Sequence, residues 1–407
     1  PSDCPASKIC YAPNANNING TMVANDLQPL PASSIGSIQS VSPNSEVELK
    51  SYNYQRPGYA FAGWSPSFDA STAANTTDTI YGPQATVSTN PNDGGVDITE
   101  HGLILYPVWV ASAGTLQDWD GCSSLPQGEV TALTDIRDGD TYAVSKLVDG
   151  KCWIVENFRL NAESSRGENA SLAQGYDTSV QFGNFIGLPD SEDAFASDAT
   201  PNSLYGTTSE SIVNIGTTNE PRYRMPRYNN LNTPADVNNR PQNPTNNAFP
   251  GDNTSVGMYS YGNYYTWHAA IADTTHYNSA TTATSLCPTG WRLPIGDQST
   301  VTNSFGALSV ALGGPANGAT VSPSSTPTGA AMSKIFRSYP NNFLYSGLFD
   351  DTSSANYRGD YGYYWSSTAS SSLNANCLNL GSSSIYPGTY YTSKYTGGIV
   401  RCIALGA

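Results

Sequence analysis

Charge is what this chain has least of. Asp, Glu, Lys and Arg together make up 13% of the 407 residues, about half the roughly 25% usual in soluble domains. Only 18 Lys and Arg stand against 33 Asp and Glu, a net charge of -15. No basic footprint exists to displace counterions from phosphates, so nucleic acid is not an expected partner. Histidine is equally scarce, with His101, His268 and His276 alone. There is no HExxH, no Gly-x-Ser-x-Gly and no phosphate-cradling loop, which removes the usual grounds for metal-assisted or acyl-transfer chemistry. No apolar run approaches the ~20 residues that cross a bilayer, so a membrane-spanning chain is not expected. Residues 1–20 have neither the basic start nor the apolar core of a signal peptide, and the numbering is expected to begin after such a segment is removed. Asn, Ser, Thr, Gly and Tyr fill the space that charge leaves, giving a surface that is polar without being ionic.

Cysteine is present but never clustered. Cys4, Cys10, Cys122, Cys152, Cys287, Cys377 and Cys402 are scattered singly, without the CxxC spacing of zinc or thioredoxin-like sites. That usage fits an oxidising, extracellular compartment at the cell surface or beyond it. Cys4 and Cys10 can close a short local ring, and Cys122 with Cys152 is the natural second bridge across an intervening meander. Seven thiols cannot all pair within one chain; Cys377 is the expected odd one.

A length prior of about 100–200 residues per domain leads us to expect two domains. Residues 11–110 show short β-branched and aromatic runs broken by Asn, Gly, Pro and Ser, the pattern of strands and turns. The marked pieces are Arg56-Pro57-Gly58-Tyr59-Ala60-Phe61-Ala62-Gly63-Trp64 and Leu103-Ile104-Leu105-Tyr106-Pro107-Val108-Trp109. Alternation puts Tyr59, Phe61 and Trp64 on one side, where Leu103, Leu105 and Trp109 can face them. These residues resemble the Listeria–Bacteroides repeat, the internalin B-repeat type of surface module. The resemblance implies a compact β-grasp-like spacer over residues 1–110, although one copy is visible and Ala70 to Gly95 reads as a long inserted loop. Residues 111–120 are then a linker.

The expected second domain covers 121–407. Its opening, from Leu133 to Phe158, has two tight Asp-Gly turns between three strands, a β-meander. From about 160 to 255 the chain is rich in Asn, Pro, Ser and Thr and reads as a loop-rich insertion. Short helices are expected at Tyr264 to Ala272, Val301 to Leu312 and Gly329 to Arg337. Strands are expected at Tyr363 to Thr368, Cys377 to Leu380 and Ile399 to Ile403.

Five pieces recur in order: Cys152-Trp153-Ile154-Val155-Glu156-Asn157-Phe158, Tyr261-Gly262-Asn263-Tyr264-Tyr265-Thr266-Trp267, Cys287-Pro288-Thr289-Gly290-Trp291-Arg292-Leu293-Pro294, Tyr364-Trp365-Ser366-Ser367-Thr368 and Val400-Arg401-Cys402. The series resembles the Fibrobacter succinogenes major paralogous domain family, across residues 115–407. That resemblance implies a fold related to C-type-lectin-like and formylglycine-generating-enzyme-like proteins: a twisted antiparallel sheet, short helices and long irregular loops. The whole is therefore expected to be a β-rich α+β protein, a β-grasp-like module followed by a C-type-lectin-like domain. Cys287 and Cys402 sit in two of the family pieces and are one pairing; Cys377 with Cys402, on neighbouring strands, is the rival. The related oxidases use a pair of active-site cysteines, and no such pair can be placed here.

Three groups of residues invite a site. Arg292 and Arg401 could hold an anion or carboxylate, or could satisfy backbone carbonyls. Asp135, Asp138 and Asp140 could form a calcium loop, the one cofactor the sequence allows, or could belong to hairpin turns. Eight of the 26 tyrosines, Tyr357, Tyr361, Tyr363, Tyr364, Tyr386, Tyr390, Tyr391 and Tyr395, fall within residues 357–395 among Ser, Asn and Gly. Antibody paratopes use the same palette, rigid phenols for contact area and small polar residues for adaptable hydrogen bonds. Tyr357, Tyr361, Asn374, Asn376, Tyr386, Tyr390, Tyr391 and Tyr395 are accordingly the expected ligand-binding set. The expected function is non-enzymatic adhesion or ligand recognition at a bacterial cell surface, the partner being a ligand on a host or neighbouring cell. A structural subunit of a surface filament, pilus or layer, contacting copies of itself, is the alternative; a formylglycine-generating-type oxidase is the third reading.

Overall fold

The computed structural model describes residues 4–12, 38–50, 58–137, 139–160, 223–224, 262, 264–271, 285–297, 303–316, 318–349, 355–394 and 396–405. Apart from Leu160 and Tyr223–Arg224, the expected insertion at 160–255 lies outside these residues, as do Asp138 and Tyr395. The described part is β-rich, with short helices.

Six strands belong to the first half of the chain: β1 (Lys8–Tyr11), β2 (Ile38–Ser40), β3 (Glu46–Glu48), β4 (Tyr59–Ser65), β5 (Thr86–Ser88) and β6 (Leu103–Thr115). β6 is the hub. It runs parallel to β1, with Ile9 opposite Leu103, and antiparallel to β4, with Phe61 opposite Trp109. The pairing slips between Phe61 and Gly63, and this irregularity returns Trp64 to the side of Phe61, ring centroids 5.3 Å apart. Only glycine fits at position 63, because a Cβ there would run into the Tyr81 carbonyl. Phe61, Trp64, Leu103, Leu105 and Trp109 share a buried cluster with Ile9 and Tyr11.

The second half adds β7 (Val130–Thr134), β8 (Thr141–Lys146), β9 (Cys152–Ile154), β10 (Tyr223–Arg224), β11 (Tyr264–Tyr265) and β12 (Trp291–Arg292). These are followed by β13 (Ser346–Phe349), β14 (Ala355–Arg358), β15 (Tyr361–Ala369), β16 (Asn374–Gly381), β17 (Ile385–Ser393) and β18 (Ile403–Ala404). The α-helices among the described residues are α1 (Trp267–Ile271), α2 (Ser304–Ala311) and α3 (Gly329–Arg337). β7, β8 and β9 form the meander, antiparallel throughout. Gly139 and Gly150 take φ of 80° and 78° at its turns, a region open to glycine at no steric cost.

Residues 111–115 are strand, not linker. Beyond the module, β6 continues into a parallel pairing with β7, Ser112 opposite Ala132. The Ser112 and Thr134 hydroxyls meet at 2.7 Å, and the Leu116 amide donates to Thr134 O at 2.9 Å. One sheet, in the order β12-β18-β9-β8-β7-β6-β1-β2 with β4 also on β6, therefore crosses the boundary between the halves. Ile403 on β18 lies opposite Trp153, so the end of the chain closes onto the meander. The expected helix at Tyr264 to Ala272 is also corrected: Tyr264 and Tyr265 pair with β10, and among the described residues the helix is Trp267–Ile271. Of the expected strand at Ile399 to Ile403, only its last residue enters β18, while Ile399 makes a single bridge to Tyr364.

The module is docked, not strung on. Arg337, in the last turn of α3, donates to Glu48 Oε2 at 2.7 Å, Gln84 O at 2.8 Å and Thr86 Oγ1 at 3.0 Å. Its guanidinium also lies 4.2 Å over the Tyr345 ring. Asn342 Nδ2 donates to Ala62 O, and the Tyr345 amide to Gln84 Oε1, each at 3.1 Å. α3 begins where the Thr328 hydroxyl accepts from the Ala331 amide, a cap worth about 1 kcal/mol.

A second sheet, β14-β13-β15-β16-β17, lies against the first through aromatic side chains. Trp153 of β9 stands 5.9 Å from Phe305 of α2 and 6.3 Å from Phe343; Phe343 is 5.3 Å from Phe336 of α3 and 5.0 Å from Tyr364 of β15. The tryptophans also satisfy their donors: Trp267 Nε1 reaches Ser366 O, Trp365 Nε1 reaches Tyr265 O, and Trp291 Nε1 reaches Leu116 O, all within 2.8 Å. A buried indole that keeps its hydrogen bond contributes its full apolar area without an orphaned N–H. Disulfides join Cys4 to Cys10, Cys122 to Cys152 and Cys287 to Cys402, leaving Cys377 free and buried. Among the described residues no helix is long and apolar enough to cross a membrane.

Candidate functional site

Strand alternation decides which tyrosines meet. On β15, Tyr363 and Trp365 join one buried cluster while Tyr364 joins the other. On β16, Ala375 and Cys377 face the first side and Leu378 and Leu380 the second. Across the sheet, Tyr363 is opposite Asn379 and Asn379 opposite Tyr386; Trp365 is opposite Cys377 and Cys377 opposite Tyr390. β17 thus spends four residues, from Tyr386 to Tyr390, where β16 spends two. Pro387 and Gly388 take up the excess, Gly388 at φ 79°. This excursion is held by Asn303, which caps α2 by accepting from the Gly306 amide at 2.9 Å and donates from Nδ2 to Pro387 O at 2.6 Å. A Cβ on Gly388 would meet Asn303 Oδ1 at 2.6 Å, so the bend requires glycine.

The result is a connected field of six phenols. Tyr357 lies 5.7 Å from Tyr361 and 6.3 Å from Tyr363; Tyr363 lies 5.9 Å from Tyr390; Tyr390 lies 5.5 Å from Tyr386 and 6.5 Å from Tyr391. Tyr357 and Tyr391 are the most open, 53% and 59% exposed, while Tyr363 at the centre is buried. Tyr357 sits at φ 63°, a backbone region costing a non-glycine residue on the order of 1–2 kcal/mol. Burial pushes the Tyr363 and Tyr390 hydroxyls up from their ordinary pKa, so both stay neutral far into the alkaline range. Beneath them, burial also pushes the Cys377 thiol up, which removes its thiolate character.

Asn379, between Tyr363 and Tyr386, is 3% exposed, and its side chain is a hydrogen-bond neighbour of the Tyr363 hydroxyl. From Tyr361 to Ser393, through all of β15, β16 and β17, there is no charged residue. The residue that follows, Lys394, is fully buried with its ammonium 4.5 Å from the centre of the Trp267 ring and without a hydrogen-bond partner. Burial lowers its pKa to about 8.

Of the expected binding set, the structure gathers Tyr357, Tyr361, Tyr386, Tyr390 and Tyr391. Tyr395 lies outside the described residues. Asn376 must be withdrawn: it is buried on the opposite parity of β16, and its amide donates to Gly296 O at 3.2 Å. Asn374 shares that parity at the start of β16, opposite Ser393. Tyr364 is likewise turned away, its hydroxyl donating to Leu344 O and accepting from Leu344 N. Tyr363 and Asn379 were absent from the expected set; their odd-numbered alternation with Tyr361 and Cys377 is the signal that identifies them.

The two other groups are occupied. Asp135 takes Arg137 at 2.6 Å and the Gln117 amide at 2.8 Å, and Asp140 faces Arg159 at 3.4 Å. Arg401 donates to Asn157 Oδ1, Asn341 O and Asn342 O, and Arg292 to Leu293 O. Burial brings the Arg401 pKa down to about 10. The arginines thus serve backbone carbonyls separately. Among the described residues no cluster of His, Cys, Asp and Glu is arranged to hold a metal ion.

No curated protein and no solved structure matches the chain. The family model of the Fibrobacter succinogenes major domain does match, over residues 220–404, a range that takes in α1 to α3, the whole tyrosine sheet and the Cys287–Cys402 bridge, while Cys152–Phe158 falls before it.

Proposed function

We propose that this chain is a secreted or cell-surface protein that recognises an external ligand, without chemistry on it, through the tyrosine face of β14, β15 and β17. The observation that carries the reading is the connected field of six phenols, open at Tyr357 and Tyr391. Rigid rings present contact area at small entropic cost, and the strained Tyr357 is held where the pattern needs it. Three disulfides favour an oxidising compartment. They also occupy six of the seven cysteines, which speaks against an oxidase needing two reactive thiols.

The finer fold reading belongs to the same proposal. A β-grasp-like module is supported by β1 and β6, its first and last strands, lying side by side in parallel. A lectin-like second half is supported by β18 returning to pair with β9. Changing Tyr386, Tyr390, Tyr391 and Tyr395 to Ala together should weaken adhesion to target cells by at least about 30-fold, the loss of one hot-spot residue's worth of binding, with an unchanged denaturation midpoint. Undiminished adhesion refutes the face. The filament-subunit reading draws on Tyr391 and Leu373, 59% and 52% exposed near the edge strand β17; concentration-dependent sedimentation of the purified protein separates the two.

A further inference from the structure

We infer that the corner between Tyr357 and Tyr361 binds a quaternary ammonium cation of the choline type. The inference rests on the recognition reading above and names its ligand class. Tyr357 stands near the end of β14 and Tyr361 begins β15; the turn between them is closed by the Asp360 amide, which donates to Tyr357 O at 3.1 Å. Their rings lie 5.7 Å apart at 83°, close to perpendicular, and the two residues are 53% and 37% exposed. Two rings set at a right angle leave an open corner, where one cation can lie within about 6 Å of both centroids, the reach of a cation–π contact. Tyr363 backs both rings: it is buried, 6.3 Å from Tyr357 and 6.2 Å from Tyr361.

Elsewhere the chain covers aromatic rings with its own cations. Arg137, Arg159, Arg337, Lys394 and Arg401 lie over Phe158, Tyr142, Tyr345, Trp267 and Phe343, all buried. Among the described residues no Lys or Arg lies over Tyr357, Tyr361 or Tyr363, so the exposed rings keep their negative faces open. Charge favours a cation there: Asp360 is exposed in the turn between the two rings, and a net charge of -15 draws cations and repels anions. Arg358, two residues before Asp360, has its side chain outside the described residues. A primary ammonium or a guanidinium carries N–H groups that demand several acceptors, and β15, β16 and β17 hold no carboxylate to supply them. A quaternary ammonium has no N–H, so ring faces and one carboxylate at the rim suffice.

The test titrates the full chain with choline chloride, with tetramethylammonium chloride and with dimethylbutanol, the uncharged carbon isostere of choline, by calorimetry or NMR. Expected is binding of both cations, with the isostere at least about fivefold weaker. Tyr357→Leu and Tyr361→Leu should each weaken choline by at least about threefold at an unaltered denaturation midpoint. Tyr361→Phe should retain it, because the ring remains, and Arg358→Gln should not weaken it. Phosphatidylcholine vesicles that compete with free choline assign the cation to a lipid headgroup; vesicles that do not compete assign it to a soluble ligand. Should a leucine variant unfold, choline against its isostere on the unmodified chain still decides the matter. Equal affinity for the isostere, loss of binding in Tyr361→Phe, or weakening by Arg358→Gln, the mark of an anionic ligand, overturns the inference. Adhesion lost in the four-tyrosine variant, with no binding of choline or tetramethylammonium, overturns the cation assignment and leaves the recognition reading standing. Adhesion that survives that variant, with choline still bound, leaves the cation site and removes the adhesive face.

Discussion

Lys394 follows a charge-free run, residues 361–393, and is the group whose replacement should improve the protein most. Its ammonium is fully buried, rests over Trp267 and has no hydrogen-bond partner. Each pKa unit corresponds to about 1.36 kcal/mol, so the fall from 10.5 to about 8 places a penalty of about 3 kcal/mol on the charged form. The folded pKa lies below the unfolded one. Between pH 8 and 10.5 the unfolded chain therefore binds more protons, and stability rises with pH across that window. Lys394→Met keeps the length of the stem and removes the charge. Against the recovered penalty stands the lost cation–π attraction, about 0.5–2 kcal/mol. The variant should thus be more stable than the parent by about 1–2 kcal/mol at pH 6, and the gap should close by pH 10. Urea unfolding of both proteins at pH 6, 8 and 10 measures this, with tyrosine titration common to both and cancelling in the difference. A variant less stable at pH 6, or a gap that persists at pH 10, refutes the reasoning.

Arg401→Met takes the guanidinium from the Asn341 and Asn342 carbonyls and from the stack on Phe343. Unfolding free energy should drop by at least about 3 kcal/mol, and Arg401→Lys should not restore it, because one ammonium cannot reproduce the fork; chemical denaturation reads both. Replacing Cys287 and Cys402 with Ser opens a link across 115 residues and should cost about 2–5 kcal/mol by the same measurement. In the intact protein, thiol titration should find no reactive group until the fold is opened, and then one, since Cys377 is buried with its thiol pushed up. A thiol that reacts in the native protein contradicts that placement.

What could be read from the sequence was local. α3 forms over Gly329–Arg337, where Thr328 caps and Met332 and Phe336 fall one helical turn apart on the buried side. The β7 to β9 meander follows from two Asp-Gly turns, whose glycines adopt the positive φ such turns demand. Non-local pairing left no such mark. Nothing in Leu103–Thr115 distinguishes a strand that stops at the module from one that serves both halves, because Ser112 and Thr115 contribute backbone pairing to β7 and little side-chain signal. β17 was not among the expected strands; Pro387 and Gly388 interrupt its alternation and act as a bend between Tyr386 and Tyr390. The tyrosine cluster was visible as composition, but its division between two faces was not until parity was fixed: Tyr363 and Tyr364 are neighbours in sequence and end in different cores.

That division explains how the proposed recognition surface can be carried by so few large anchors. Residues of the same three strands alternate between phenols that emerge and aromatics that lock the sheet, Tyr364 to Phe343 and Phe343 to Trp153. The module contributes to the same lock, since Arg337 ties α3 to Glu48, Gln84 and Thr86 while Asn342 ties the following loop to Ala62. Asn342 O in turn receives Arg401, and Asn157, also held by Arg401, donates to Ser346 Oγ at the start of β13. A continuous chain of buried hydrogen bonds thus runs from Ala62 through Asn342, Arg401 and Asn157 to Ser346 in the sheet that carries the tyrosines. A module connected in this way acts on the face by restraining the strands beneath it, and the two halves should unfold as one cooperative unit, a consequence a freely jointed spacer would not have.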